Sequence, residues 1–251
     1  MDEIWVCHLG VTPYDEALAL QQRLRAARQA ELVPDILLLL EHPPVYTRGR
    51  RTAAGELPMG EAWYADRGIE IVDTDRGGRV TYHGPGQLVG YPIMRITDVI
   101  VYLRTMEDAI IAALAGENVP ARVLDGLTGV WVADRKIASI GVHVSRGVTT
   151  HGFAVNVEND LRPFDWVVAC GIQGVQMTSV ERETNRLSAV PAERETDQLS
   201  VFPAERETHL RSLPCFRRRM AHQFALAHHA RQRLVSLARL ESMLAPVSGL
   251  A

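Results

Sequence analysis

Cysteine is sparse in this 251-residue sequence. Cys7, Cys170 and Cys215 are odd in number, far apart and form no CxxC pair. That excludes a disulfide framework and a cysteine-built metal site, and leaves each of them open as a working thiol. An excess of one charge is also lacking: 27 basic against 30 acidic residues leave a net charge of −3. Nothing global draws the chain to nucleic acid or a membrane, so an electrostatic partner must be met by a local patch. Apolar runs stay well short of the ~20 residues a membrane-spanning helix needs. The opening Met1-Asp2-Glu3-Ile4 lacks the basic region of a signal peptide, so a cytoplasmic protein is expected. What is abundant is apolar residue, 47% of the total, enough for a sizeable core in one domain with or without an appendage.

The densest stretch runs from Arg76 to Pro92. It holds five glycines, two arginines, a threonine, two tyrosines and a histidine, then passes into a strand-like run ending at Ile93. Glycines at this density cost backbone entropy and let main chain approach a ligand closely, which favours a binding loop over a surface linker. A second glycine-containing turn is expected at 45–51, Val45-Tyr46-Thr47-Arg48-Gly49-Arg50-Arg51, where solvated loop charge is the alternative.

Elsewhere the patterns alternate. Residues 5–9 suit a strand. Ala17, Leu20, Leu24 and Ala27 share a helical face behind Asp15, a candidate cap, with Pro34 as the stop. The aliphatic run 36–40 is short enough for a buried strand, and 69–72 is another. Val99, Leu103, Met106, Ile110 and Ala113 recur at helical spacing as a core helix, with Thr97 or Asp98 to cap it and Gly116 to end it. Segments 121–124, 129–133, 136–144 and 148–157 read as an antiparallel meander broken by turn residues. A helical face is expected again from Cys215 through Phe216, Met220, Phe224 and Ala227, continuing over Leu234 and Ala238, with Arg217-Arg218-Arg219 alongside. Helices on a largely antiparallel sheet define an α+β, mixed α/β fold. Between these elements, Glu181-Arg182-Glu183-Thr184 returns at 193–196 and 205–208, a twelve-residue period. This tandem duplication is expected as a mobile insertion at 181–210 in a single domain formed by 1–180 and 211–251.

Two residues are candidates for chemistry. Cys170 is followed by Gly171, so the next amide is open to a substrate carbonyl, although a cysteine among valines is often a small hydrophobe. Lys136 stands where the 134–135 turn enters a strand, a position at which lysine is ordinarily solvated.

Taken together, several blocks resemble the lipoyl (octanoyl) transferases, enzymes that begin protein lipoylation and belong to the biotin and lipoate ligase superfamily. They are Pro43-Pro44-Val45-Tyr46-Thr47-Arg48-Gly49-Arg50, Arg76-Gly77-Gly78, Thr81-Tyr82-His83-Gly84-Pro85-Gly86-Gln87 and Tyr91-Pro92, then Arg135-Lys136-Ile137-Ala138-Ser139-Ile140-Gly141, Thr150-His151-Gly152-Phe153-Ala154-Val155-Asn156-Val157 and Cys170-Gly171-Ile172. The resemblance covers residues 5–179 and then the C-terminal helix. It implies a mixed sheet flanked by helices, and transfer of an octanoyl group from acyl carrier protein to a lysine of lipoyl domains, those of 2-oxoacid dehydrogenase E2 subunits and the glycine cleavage H protein. It places the nucleophile at Cys170 and the assisting base at Lys136. It places the acyl pocket at Arg76, Gly77, Gly78, Arg79, Val80, Thr81, Tyr82 and His83, closed by Ser139, Ile140, Gly141, Gly152, Phe153 and Ala154. No cofactor or metal is implied and no ATP, because thioester exchange is nearly isoenergetic and aminolysis runs downhill. Arg48, Arg50, Arg51, Arg79 or Arg217 to Arg219 can supply a docking patch for the acidic carrier. Ala169 stands where the family usually has proline, and the 181–210 repeat is outside the pattern. An ATP-dependent lipoate or biotin ligase, an amidotransferase between lipoyl proteins, and a silent binding module are the alternatives. ATP dependence, donor identity and an acyl-enzyme distinguish them.

Overall fold

The computed structural model describes residues 2–168, 174–189 and 213–244. Cys170 and its neighbours, and the second and third copies of the repeat, lie outside them. The aliphatic run in β2 (Asp35–Glu41) sets the architecture. Leu37 and Leu39 belong to one apolar cluster, Ile36, Leu38 and Leu40 to another, and all five are fully buried. A strand with no polar face must have both faces covered.

β2 lies parallel to β1 (Glu3–Val11) and antiparallel to β6 (Gln87–Ile93). Beyond β6 the sheet continues antiparallel through β10 (Val148–Asn156), β9 (Arg135–Ser145), β8 (Leu127–Val132) and β7 (Arg122–Leu124), the expected meander. On one face pack α3 (Val99–Ala115) and α5 (Leu213–Ala227), through Met106, Ile110, Phe216, Met220 and Phe224. On the other pack α1 (Tyr14–Gln29) and α6 (Leu237–Leu244), through Leu20, Leu24 and Leu240. A small second sheet has β3 (Val45–Arg48) between β4 (Glu70–Asp73) and β5 (Thr81–His83). Its core is Tyr46, Tyr64 of α2 (Glu61–Ala65), Tyr82 and Phe164. The fold is α+β with a mixed, largely antiparallel sheet, as expected. No helix among the described residues is long and apolar enough to cross a membrane.

Several local expectations are corrected. Asp15 is not the cap of α1. Pro13 occupies that position without a side-chain bond, and Asp15 sits in the first turn, where the helix dipole favours a carboxylate. Nor does Pro34 end α1. Leu32 N donates to Ala27 O and Glu31 N to Arg28 O, with Glu31 left-handed at φ 59°, a Schellman closure. The same closure at His229 (φ 53°), with Ala230 N on Ala225 O, stops α5. The chain therefore does not carry one helix over Leu234 and Ala238. It enters β12 (Arg231–Leu234), parallel to β1, and then α6. In both cases a non-glycine residue takes the left-handed conformation, which is why no glycine marked the stop. Segment 45–51 is a strand as far as Arg48, with the turn only at Gly49. Asp98 caps α3 by accepting from Ile100 N (2.7 Å) and Val101 N (3.0 Å), but Val99, expected in the core, is 40% exposed. Residues Glu181 to Ala189, expected in the insertion, form α4 (Val180–Ala189), with Glu183 and Thr184 buried.

Glycine is required where β6, β9 and β10 meet. Gly152 faces Gly141 across β10 and β9, and a Cβ at Gly152 would overlap the Gly90 carbonyl oxygen. A Cβ at Gly90 would fall inside the Phe153 ring. Gly152→Ala is expected to destabilise the protein by about 1–3 kcal/mol, as overpacking does. Urea denaturation measures this, and an unchanged midpoint would refute the close approach.

Candidate active site

A cavity of ≈ 250 Å³ opens where β9 and β10 lie beside the 76–83 loop and the start of α1. Lys136 lines it. Although it follows a turn, it is only 4% exposed. Space for its side chain comes from Gly129, where a Cβ would lie 2.9 Å from Lys136 Cε. Gly129 also has φ +115°, a conformation that disfavours any other residue. Lys136 Nζ sits 5.5 Å from the Trp131 ring centroid, in range of a cation–π interaction.

Ser139, Ile140, Gly141, Gly152, Phe153 and Ala154 line the same cavity, as do Arg76, Gly78, Arg79, Thr81 and His83. Gly77, Val80 and Tyr82 lie outside its lining. Val80 and Tyr82 alternate with Thr81 and His83, so they turn into the core of the small sheet. Gly77 acts through its backbone, donating to Val142 O at 2.9 Å, while its carbonyl packs against Gly141. Arg76 is buried and fastened to β3, with Nη2 donating to Thr47 O (2.6 Å) and Nε and Nη2 to Thr47 Oγ1.

Of the three cysteines, Cys7 is buried in β1, where desolvation pushes its thiol up to about 11. Cys215 lies on α5 and lines no part of the cavity. Cys170 falls outside the described residues, but the chain is anchored on both sides of it. Before it, Val168 N donates to Glu56 O (3.0 Å). After it, β11 (Gln176–Met177) runs parallel to the start of β9 with Met177 opposite Lys136, and Thr178 N donates to Lys136 O (2.9 Å).

The sequence reading gave no role to four rings here: Tyr14, Tyr91 and His151 line the cavity, and His42 is bonded to Tyr91. Their protons can be assigned from the bonding. His42 Nδ1 must donate to the Thr12 carbonyl (2.7 Å), so its Nε2 accepts from Tyr91 OH (2.7 Å). His151 Nε2 donates to Asp75 (2.6 Å), leaving Nδ1 to accept from Tyr14 OH (3.3 Å). Gln87 spends its amide hydrogens on Tyr82 O and Asn156 Oδ1, so its Oε1 accepts from His83 Nδ1 (2.8 Å). All three imidazoles are neutral. Burial first, then His42, lowers His83 to about 3, and burial lowers His42 to about 4. Burial also lowers His151, against the opposing pull of Asp75. His83 therefore offers its Nε2 as an acceptor and is too weakly basic to take a proton at neutral pH. Tyr91, in Tyr91-Pro92, and His151, inside Thr150-His151-Gly152, lay within recognisable blocks. Tyr14 and His42 come from separate elements that carry no local signal.

The fold and this cavity define the class of protein. The sequence model of the lipoyl protein ligase A/B catalytic domain matches residues 13–198, and the chain belongs to that family. Within it, the relatives are octanoyltransferases: that of Rubrobacter xylanophilus is 50% identical over 70% of this chain and 82% of its own, that of Geobacter sulfurreducens 47% over 74% and 77%, and that of Mycobacterium ulcerans 46% over 74% and 81%. The protein is accordingly an acyltransferase. Solved structures agree on the fold. A bi-partite lipoate protein ligase of Thermoplasma acidophilum aligns with a TM-score of 0.66 at 20% identity, covering 97% of this chain and 91% of that one. Lipoate-protein ligase A bound with ATP aligns with 0.67 at 18%, covering 96% and 92%.

The neutral histidines carry a pH signature. Unfolded, each takes up a proton below about 6.5, whereas folded His83 and His42 do not until far lower, so stability falls as pH drops from 6.5. At pH 5 the cost is about 2 kcal/mol per histidine. Whatever its effect at pH 7, His83→Gln should lose about 2 kcal/mol less than wild type between pH 7 and pH 5 in chemical denaturation. Parallel curves would contradict the assignment.

Proposed function

We propose that the protein transfers an octanoyl group from acyl carrier protein to a specific lysine of lipoyl domains, through a thioester on Cys170 with Lys136 assisting. The observation that carries this reading is the buried Lys136 at the cavity, with β11, the strand that follows Cys170, paired directly against it. In the first half-reaction the Cys170 thiolate attacks the donor thioester carbon. The carbon–sulfur bond to the carrier breaks, and the carrier sulfur leaves as its thiol by taking a proton from the Lys136 ammonium, which becomes the neutral amine. A nearby ammonium favours the thiolate over a thiol of ordinary pKa ~8.5. In the second, the acceptor lysine amine forms the amide bond, Cys170 departs, and Lys136 in its neutral form takes the proton released by the amine.

The cavity supports an acyl ligand. Its ≈ 250 Å³ lies just below the range of about 300–1,000 Å³ typical of drug-sized ligands, a size suited to one unbranched chain. Ile140, Phe153 and Ala154 supply apolar wall, and each buried methylene contributes roughly 0.8 kcal/mol, which lets cavity length select chain length. For the carrier, Arg51 lines the mouth and Arg50 beside it is exposed. Arg48 is paired with Glu61 and Asp73, Arg79 with Glu56, and Arg217 to Arg219 lie on α5, which packs against α3. Arg50 and Arg51 are therefore the favoured docking residues. The acceptors are lipoyl domains of 2-oxoacid dehydrogenase E2 subunits and the glycine cleavage H protein. We assign the transferase to one catalytic domain that includes α4, built from the first copy of the repeat.

Intact mass after incubation with octanoyl-acyl carrier protein and no ATP tests this. Wild type should gain one octanoyl group that hydroxylamine removes and that an added lipoyl domain collects, and Cys170→Ser should gain none removable in that way. Lys136→Met should slow transfer by about 10²–10⁴-fold, the usual worth of a positioned acid–base group. Acceptor labelling from free octanoate and ATP, without an adduct, would identify a ligase instead.

A further inference from the structure

The first copy of the twelve-residue repeat does more than start a helix. Ser179 caps α4, its hydroxyl accepting from Arg182 N at 3.2 Å. Glu183, one turn on, is 4% exposed, and its carboxylate accepts from four donors. Arg135 reaches it with Nε and Nη2, both at 3.0 Å, Arg186 Nη1 lies at 3.3 Å, and the Thr178 hydroxyl also donates to it. Burial alone would raise this carboxyl, but the bonds from Arg135 and Thr178 bring it below its ordinary value, so it is ionised at neutral pH. Such an arrangement is a costly way to anchor a helix, because a buried carboxylate repays its desolvation only when every lone pair is met.

Both principal donors are neighbours of Lys136. Arg135 precedes it on β9, and Thr178 donates its backbone N–H to the Lys136 carbonyl. A ring therefore closes from β9 through Arg135, Glu183 and Thr178 back to β9. It ties the strand that carries Lys136 to the segment returning from position 170. From Thr178 the chain of bonds continues to His83 in the cavity wall: Asn156 Nδ2 to Thr178 O (3.0 Å), Gln87 Nε2 to Asn156 Oδ1 (2.9 Å), then His83 Nδ1 to Gln87 Oε1.

We infer that Glu183 is a positioning residue for the transfer reaction, clamping Arg135 and Thr178 so that Lys136 and the chain following Cys170 are held in one fixed relation. The inference rests on the reading of Lys136 as the assisting base. A glutamine at 183 keeps the shape but presents one carbonyl oxygen and an amide NH₂ to a site made of donors. The expected result is a strand free to shift by a fraction of an ångström, and a 1 Å misplacement of a reacting group costs on the order of 10²-fold in rate.

The test uses a property of this sequence: lysine occurs only once, at position 136. Labelled lysine therefore gives a single side-chain NMR signal whose position and titration report that one residue. Glu183→Gln is expected to lower kcat roughly 10- to 100-fold with KM for the carrier substrate little changed, and to move the Lys136 signal. Thr178→Val, which removes one donor and leaves the Arg135–Glu183 pair, should do the same to a smaller degree and decides the matter if Glu183→Gln does not fold. Loss of thermal stability with kcat and the Lys136 signal both unchanged would overturn the inference and leave Glu183 as a helix anchor only. If Lys136→Met retains full turnover, the catalytic reading of Lys136 fails, and with it the role of Glu183 in the reaction. A Lys136 signal that still moved in Glu183→Gln would then show a structural clamp and nothing more.

Discussion

The site depends on side chains that are not there. Gly90, Gly141 and Gly152 lie side by side where β6, β10 and β9 pair, so the strands present bare backbone to the structures packed on them. Phe153 lays its ring across Gly90. The Gly77 carbonyl approaches Gly141 to a distance at which a Cβ would lie 2.8 Å away. A side chain at Gly141 would push off the 76–83 loop, and side chains at Gly90 or Gly152 would collide with the Phe153 ring or the Gly90 carbonyl. Interiors are packed densely enough that a void persists only where something else holds the walls apart. Here the loop is held by the buried Arg76 guanidinium on Thr47.

Electrostatically the site joins neutral imidazoles to one lysine. His42, His83 and His151 are neutral, their protons committed to Thr12, Gln87 and Asp75, and the ring atoms left over are acceptors. Lys136 lines the same cavity as His83 and His151. The buried amides are satisfied by one another, in a hydrogen-bond chain that runs from His83 through Gln87 and Asn156 to Thr178 and so to the Lys136 backbone. The same chain runs into Glu183, so a segment that looks in sequence like the first unit of a repetitive insertion is joined to the interior of the domain. Tandem copies of a motif need not be equivalent: what distinguishes the first is its distance from Thr178, which lets its glutamate reach Arg135.

Much was already legible in the residues. The continuous aliphatic run of β2 required cover on both faces. The alternation from 121 to 157 gave four strands and their antiparallel order. Asp98 marked the start of α3, and the glycine-rich 76–92 stretch marked a loop beside a ligand cavity. Gly116 marked the end of α3, but the stops of α1 and α5 were not legible, because Glu31 and His229 take left-handed conformations that local sequence assigns to glycine. The inward turn of Val80 and Tyr82 was missed because the loop ends as a strand, and a strand sends alternate residues to opposite sides.

What the sequence by itself determined is what depends on near neighbours: periodicity, caps, glycine-rich turns, and the ordered blocks from which family membership follows. What only the tertiary structure decided is what depends on residues far apart in the chain. Tyr14 and His151 are 137 positions apart and His42 and Tyr91 49, yet each pair shares a hydrogen bond. The burial of Lys136 comes from Gly129 on the neighbouring strand, and the neutrality of His83 from its burial and from His42, Arg76 and His151. Desolvation and hydrogen bonding act through space, so the protonation state of a side chain is set by the groups that folding brings to it, and no reading along the chain contains that information.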